Sequence, residues 1–387
     1  MQNNDYMHPI VCLSTIDWNF QRQRHQILMS ALATSGIPVL YIENPGGRTP
    51  SLRDAQRVFL RARNLIQQVF SGTRQMDGVT VLSPIVLPFQ TPWAKRLNAL
   101  LFVRIIAARA KSLGFIRPIF WNYSPTWFAL QLAEQLGSVY KVYDCVTNIK
   151  GYAYATPDLI ASEEAWVRTA DIILTDAQSL YDEKVMVNPR TFRIPPGVDY
   201  HQFEFRQYIS EPEELRIIPK PRLCFFGTLG WWVNYDILKQ FARTHPDWTV
   251  VLIGPAKVEV STLNEIPNIV LLSAKVHADL PAYLHVMDVL CIPYLVDAFT
   301  DGVFPAKLFE SLATGKPVVA TPIKELLAYT DTITITEPQY FTKAVETALR
   351  DDTLSKQEER KRLARANSWD SRVTHIRHLL EQTMEAK

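Results

Sequence analysis

The chain has 387 residues, 47% hydrophobic and 21% charged, with a formal net charge of +2. It is too long for one ordinary core and fits two domains, while so even a charge balance gives no global argument for nucleic acid as a partner. The 25 prolines against 14 glycines suit many short strand-to-helix turns and exclude low-complexity linkers. The start, MQNNDYMHPIVCLS, lacks a basic region followed by a long apolar run, so no secretory leader is expected. No uninterrupted apolar stretch reaches membrane-spanning length. Cys12, Cys145, Cys224 and Cys291 all lie in apolar runs without a CxxC pair, which predicts reduced, buried thiols and a cytoplasmic protein.

In chain order, Pro9–Leu13 reads as a strand, Arg22–Thr34 as a helix and Val39–Ile42 as a second strand. A helical region is expected over Leu52–Phe70, a strand over Val79–Ser83 and a helix over Ala94–Leu113. The strand Pro118–Asn122, the helix Trp127–Leu136 and the strands Tyr140–Cys145 and Asp171–Thr175 follow. This half closes at Phe192–Asp199, FRIPPGVD, and the polar run 201–220 with Pro212 and Pro219 is expected to be a linker. A second alternation begins at Arg222, with strands expected at Leu223–Phe226, Thr249–Ile253, Ile269–Leu272, Val289–Pro293, Val318–Ala320 and Ile333–Ile335. Helices are expected over Phe341–Leu349, Gln357–Arg365 and from Trp369 onward. Strict alternation of strand and helix implies crossover connections and mainly parallel sheets. The implied organisation is α/β, with domains at 1–200 and 221–366, a linker at 201–220 and a terminal helix at 367–387.

The most informative stretch is Phe304–Thr321, FPAKLFESLATGKPVVAT. Pro305 suits a first helical turn. Leu308, Phe309, Leu312 and Ala313 mark a buried face, and Gly315 with Pro317 ends the helix before the strand Val318–Ala320. Lys307 near the helix start suits a phosphate, and Glu310 one turn later can accept a pair of ribose hydroxyls. An ordinary amphipathic helix with Lys307 and Glu310 as a solvated pair is the plain alternative.

The order Pro-x-Lys-Leu-x-Glu-x-Leu-Ala-x-Gly-Lys-Pro-Val-Val resembles the donor-binding motif of GT-B glycosyltransferases, especially bacterial enzymes that assemble capsular, exopolysaccharide or teichuronic-type glycans. The resemblance implies two Rossmann-like domains facing each other across a cleft, with a C-terminal helix returning to the first domain, anchored by Trp369. It also implies a nucleotide diphosphate-sugar donor and a glycan or polyprenyl-linked acceptor, with no cofactor and no metal. Nucleic acid is not among the expected partners.

The resemblance places the donor on the second domain. Gly227, Thr228, Tyr294, Gly302, Val303, Phe304, Pro305, Lys307, Leu308 and Glu310 are the candidates for the nucleotide and diphosphate, with the loop amides of 300–304 turned to the phosphates. Two departures stand out. The segment after the first strand of this half, GTLGWWVNYD, has no basic residue, which moves charge compensation onto Lys307. The family's leading glutamate, eight positions before the second, is here Gly302, so Asp297 or Asp301 would have to hold the donor sugar. Its loss favours inversion of configuration at the transferred sugar.

In the first half, Asp17 follows the first strand and is a candidate general base, or else belongs to the cap of the next helix. Arg22, Arg24 and His25 are candidates to meet a phosphate, with a wet helix face and a structural histidine as alternatives. Asp144 is the second candidate base, although strand alternation can turn it away from the ligand. Trp121, Asn122 and Tyr123 are candidates for stacking on and hydrogen-bonding an acceptor sugar, or for core packing. Basic amphipathic stretches at Arg53, Arg57, Arg61 and Arg63, and at Lys95, Arg96 and Arg104 around Leu97, Leu100, Leu101 and Phe102, fit an anionic membrane surface and a solvated helix face equally. A nucleotide-sugar 2-epimerase and a non-catalytic nucleotide-sugar-binding partner are the rival readings.

Overall fold

A computed structural model describes residues 8–19, 22–43, 73–84, 101–151, 155–204 and 210–385. The chain divides into two compact units. The first comprises Met1–Asp176, Leu180–Ile194 and Val373–Lys387, and the second Ala177–Ser179 and Pro195–Arg372.

The first unit runs β1 (Ile10–Leu13), α1 (Arg24–Thr34), β2 (Val39–Ile42), β3 (Arg74–Met76), β4 (Val79–Leu82), α2 (Val103–Ser112), β5 (Ile119–Asn122), α3 (Trp127–Leu136), β6 (Tyr140–Cys145), α4 (Pro157–Thr169), β7 (Ile172–Thr175), α5 (Gln178–Val185, of which Gln178 and Ser179 belong to the second unit) and β8 (Thr191–Arg193). Its sheet order is β3-β4-β2-β1-β5-β6-β7-β8. All pairings are parallel except β3 with β4, which is antiparallel. The strands β1 and β2 carry unbroken apolar runs and are buried along their length, as parallel sheets covered on both faces require. Helix ends follow local chemistry. Thr126 caps α3 by accepting from the Ala129 amide, and Gly137 closes it at φ +65°.

The second unit runs α6 (Tyr200–Phe203), α7 (Glu213–Arg216), β9 (Arg222–Phe226), α8 (Tyr235–Thr244), β10 (Thr249–Ile253), β11 (Ile269–Leu272), α9 (Leu280–Leu284), β12 (Val289–Ile292), α10 (Lys307–Ala313), β13 (Val318–Ala320), β14 (Thr334–Ile335), α11 (Phe341–Arg350) and α12 (Leu354–Ala366). Its sheet is parallel in the order β11-β10-β9-β12-β13-β14. A last helix, α13 (Trp369–Glu385), starts in the second unit and from Val373 belongs to the first. There Val373, Ile376, Leu379 and Leu380 join the core of the first sheet. At its start, the Trp369 ring lies so close to Gly197 that a Cβ at 197 would approach it to 2.9 Å, and the Trp369 amide donates to the Val198 carbonyl at 3.0 Å.

The expected linker is not a free connection where it is described. Phe203, Leu215 and Ile218 are buried in the core of the second unit. The Arg222 guanidinium, itself buried, donates to the carbonyls of Leu215 (2.6 Å) and Ile218 (2.5 Å) and to Glu211 (2.6 Å). Apolar residues spaced through a polar run fold back onto the sheet, so the run is structural. The helix expected over 52–70, with Arg53, Arg57, Arg61 and Arg63, lies outside the described residues. So do Lys95, Arg96, Leu97 and Leu100. Of that second stretch, Leu101 and Ile105 are exposed beside Arg104, while Val103, Ile106 and Ala107 face the core. Among the described residues, no helix is long and apolar enough to cross a membrane.

Candidate functional site

In an open parallel sheet, ligands settle at the carboxyl ends of strands where the winding reverses. In the second unit that point lies between β9 and β12, because β10 and β11 build outward on one side and β13 and β14 on the other. Gly227 and Thr228 follow β9, and Tyr294 lies just beyond β12. Gly227 has φ +113°, and a Cβ there would meet Cε of Lys307 at 3.1 Å and its Nζ at 3.3 Å. Glycine therefore serves twice, by allowing the backbone angle and by leaving room for the ammonium.

Lys307 reaches this point because α10 begins there. The Pro305 carbonyl accepts from the Leu308 amide (2.9 Å), and Gly315, at φ +74°, ends the helix. Phe309 and Leu312 are fully buried, each contributing about 1.5–3 kcal/mol from burial. Behind the helix, Nε of Arg360 donates to the Gly315 carbonyl at 2.9 Å. The Lys307 ammonium donates to the Tyr294 hydroxyl. It lies 5.0 Å from the Phe225 ring centre and 4.9 Å from that of Tyr294. Among the described residues, no carboxylate lies within ion-pair distance of it. A half-buried cation without a counter-charge, aimed at a glycine-lined strand end, is suited to an anionic ligand.

Glu310 stands one turn further along α10, with its side chain 20% exposed. Its Oε1 lies 2.9 Å from Nε2 of His277, a residue of the loop after β11. His277 is not among the residues that the sequence singles out. The rule that ligands gather after strand ends covers it, but only once β11 is counted with its neighbours. Trp231 and Phe299, also unanticipated, are exposed on the loops after β9 and β12 with ring centres 4.7 Å apart.

The rest of the expected donor loop is used internally. Asp297 accepts from the amides of Phe299 and Thr300, both at 2.9 Å, and so seeds a tight turn. The amides of Asp301, Gly302 and Val303 bond back to the carbonyls of Asp297, Phe299 and Thr300. They are therefore not presented to a phosphate as expected. Asp301 accepts from the Lys324 amide at 2.9 Å. Neither aspartate offers the freely held carboxylate that the missing glutamate would supply. Phe304, Pro305 and Leu308 are buried, with Phe304 stacked on Phe309 at 5.4 Å, so these side chains support α10.

The first unit has its own reversal between β1 and β5, and most of its expected site residues gather there. They are held differently. Arg24 and Asp144 form a buried ion pair, with Nε at 3.1 and 3.2 Å from the two carboxylate oxygens and Nη2 at 3.1 Å from Oδ1. Nη1 of Arg24 donates to the Ile194 carbonyl at 2.7 Å, and the Trp121 indole donates to Asp144 at 3.3 Å. Asp144 is thus not a free base, Arg24 is not a phosphate ligand, and Trp121, fully buried, is not a stacking surface. The Asn122 side chain is also fully buried and accepts from the Ser124 amide at 3.0 Å.

His25 is buried, stacked on Tyr123 at 3.7 Å and bonded through Nδ1 to the Ser14 hydroxyl at 3.0 Å. Burial, with the Arg24 charge beside it, lowers its pKa to about 3, so it is neutral and structural. Asp17 is exposed on the loop after β1, outside the helix cap, which Gln23 provides. Arg22 makes an exposed pair with Asp77 at 3.1 Å, an interaction weak enough to exchange for a ligand. Glu43, unanticipated, gathers three neighbours: it accepts from the Trp18 amide (2.9 Å), from Arg74 (2.8 Å) and from the Ser83 hydroxyl. The four cysteines are buried and unbridged, and burial pushes the Cys145 thiol up to about 12. Among the described residues, no cluster of three His, Cys, Asp or Glu side chains is placed to hold a metal.

Comparison with known proteins agrees with this geometry. Residues 220–351 match the family Glycosyl transferases group 1, a segment that contains β9 to β14 and the Lys307–Glu310 helix. Among curated proteins, the chain is 26% identical over 216 residues to TuaH of Bacillus subtilis, named for teichuronic acid biosynthesis as a glycosyltransferase. That match takes in 50% of this chain and 54% of the relative, so it spans about half the length of the curated protein. Among solved structures, sucrose-phosphate synthase from Thermosynechococcus elongatus superposes with a TM-score of 0.70 at 16% identity, covering 98% of this chain and 100% of the other. HepE of Anabaena, solved with UDP and glucose, also gives 0.70, at 14% identity over 97% and 99% of the two chains. The fold is GT-B. The family match lies within the second unit, over residues 220–351.

Proposed function

We propose that the chain is a hexosyltransferase-type enzyme. It moves a sugar from a nucleoside diphosphate donor to a glycan or lipid-linked acceptor in cell-surface polysaccharide assembly. The observation that carries this is the Lys307 ammonium, without a carboxylate partner among the described residues, at the reversal between β9 and β12. The solved complex of HepE with UDP and glucose supports a nucleotide-sugar donor, and the naming of TuaH supports a polysaccharide acceptor.

In this reading Glu310 takes the ribose hydroxyls and Lys307 the diphosphate. As the acceptor hydroxyl oxygen bonds to the anomeric carbon, the bond from that carbon to the diphosphate oxygen breaks. Lys307 neutralises the charge that develops on the leaving group, the task a divalent cation performs elsewhere, so turnover is expected to persist in chelator. The first unit receives the acceptor. Asp17, exposed on the loop after β1, accepts the hydroxyl proton if configuration inverts. Exposed Leu101 and Ile105 beside Arg104 would let the protein meet the cytoplasmic membrane face where a lipid-linked acceptor lies.

A thermal-shift panel of UDP-, GDP-, ADP- and dTDP-sugars tests the reading. At least one is expected to raise the melting temperature, and Lys307→Ala and Glu310→Ala are each expected to abolish the rise. No shift with any donor would remove the claim. Incubation with donor alone separates the rivals, since an altered nucleotide sugar without acceptor would mean an isomerase. Tight binding with no turnover against any cell-derived acceptor would mean a binding partner.

A further inference from the structure

We propose that His277 is the positioning residue of the ribose site, acting through Glu310, with its tautomer set by Gln202. The inference rests on the reading of Glu310 as the ribose ligand and extends it to groups outside the recognised motif. The side-chain nitrogen of Gln202 donates to the His277 carbonyl at 2.7 Å. A carbonyl oxygen can only accept, so the NH2 end of that amide faces the histidine. Its second hydrogen then points at Nδ1 of the ring, 3.2 Å away. Nδ1 must accept, which puts the ring proton on Nε2, and Nε2 lies 2.9 Å from Oε1 of Glu310. Neutral His277 therefore donates to one carboxylate oxygen and fixes the rotamer of Glu310. The other oxygen is left to face vicinal sugar hydroxyls.

The support behind the ring is built to hold it. Gln202 lies in α6, whose first turn is set by Asp199 accepting from the Gln202 amide at 3.2 Å. Phe203, the next residue, meets the His277 ring edge-on with centres 5.1 Å apart. The Phe203 carbonyl is held in turn by Nε2 of His285 at 3.0 Å. The chain of contacts runs from Asp199 through Gln202 and His277 to Glu310, entirely within the second unit. Orientation of a ligand by a hydrogen-bonded partner behind it is the usual means by which such sites gain selectivity.

The test uses the full chain and whichever of UDP, GDP or ADP binds most tightly, together with its 2′-deoxy form. The wild type is expected to prefer the ribonucleotide by about tenfold or more. His277→Ala should weaken the ribonucleotide about tenfold and leave the deoxy form unchanged, erasing the preference. His277→Gln, which can place a donor near the Nε2 position, should restore most of it. Imidazole 15N spectra of the wild type should show His277 protonated on Nε2, a signature readable even if the alanine variant does not fold. Equal weakening of both nucleotides, retained preference in His277→Ala, or a proton on Nδ1 would overturn the proposal. Loss of the preference in Glu310→Ala with its retention in His277→Ala would sink this inference alone. Retention of the preference in Glu310→Ala would sink the reading of the site beneath it.

Discussion

The two strand-end reversals treat charge in opposite ways. At the ends of β1 and β5, Arg24 and Asp144 neutralise each other out of water and His25 is kept uncharged. At the ends of β9 and β12, Lys307 lies among aromatic rings with no carboxylate within ion-pair distance among the described residues, and Glu310 meets His277. The topology is shared, but among the described residues the half-buried cation at the second reversal has no carboxylate within ion-pair distance, whereas the buried cation at the first is paired. Position in a fold indicates where a ligand can bind, and uncompensated charge indicates which ligand.

The largest effect that would sharpen this contrast is on folding. Asp144→Asn leaves a buried guanidinium without its counter-charge and should cost about 3–5 kcal/mol in urea denaturation. The double change Arg24→Met with Asp144→Leu should recover most of that loss. A single variant as stable as the wild type would mean the pair is not the internal fastening described. Lys307→Met should do the reverse, weakening nucleoside diphosphate binding by about 1.5–3 kcal/mol, roughly ten- to a hundredfold by calorimetry. Its melting temperature should not fall, and a destabilised variant with an unchanged Kd would erase the distinction between the two regions.

Gly227→Ala joins both behaviours. A side chain at φ +113° should cost about 1–2 kcal/mol of stability and push the ammonium aside, so both denaturation and nucleotide binding should suffer. Wild-type binding in this variant would show that the ammonium does not need the space. The most gradual effect is the pH dependence of the first unit. With a folded pKa of about 3 against an ordinary 6.5, His25 binds a proton only on unfolding across that interval, so stability is full above about 6.5 and declines as pH falls toward 3. The slope from one such group is at most about 1.4 kcal/mol per pH unit. His285, at about 4, adds to it in the second unit. His25→Phe should flatten the decline between pH 6 and 4 in thermal melts, and an unaltered slope would refute its assignment.

What could be read from the sequence was what the sequence holds locally. The parallel alternation was legible because most central strands are largely apolar runs, and Lys307 and Glu310 were legible because they share one turn of one helix. The edge strand β3, Arg74-Gln75-Met76, was not, since an edge strand with exposed polar residues carries no apolar pattern. The long-range partners were hidden for a different reason. Arg24 finds Asp144 across 120 positions, and Gln202 finds His277 across 75, through packing that no local spacing encodes. Asp297 and Asp301 misled because short carboxylates fold onto their own backbone as readily as onto a sugar.

The glycine after β10 ties a neighbouring loop to the charged site. At Gly254, φ is +149°, and a Cβ there would come within 2.0 Å of the Gly227 carbonyl oxygen. The two turns are nested so closely that a change in one is a displacement of the other. Anyone transplanting this anion cradle to a different parallel sheet would have to carry both turns as a single module, because the lysine alone would arrive without the hollow it occupies.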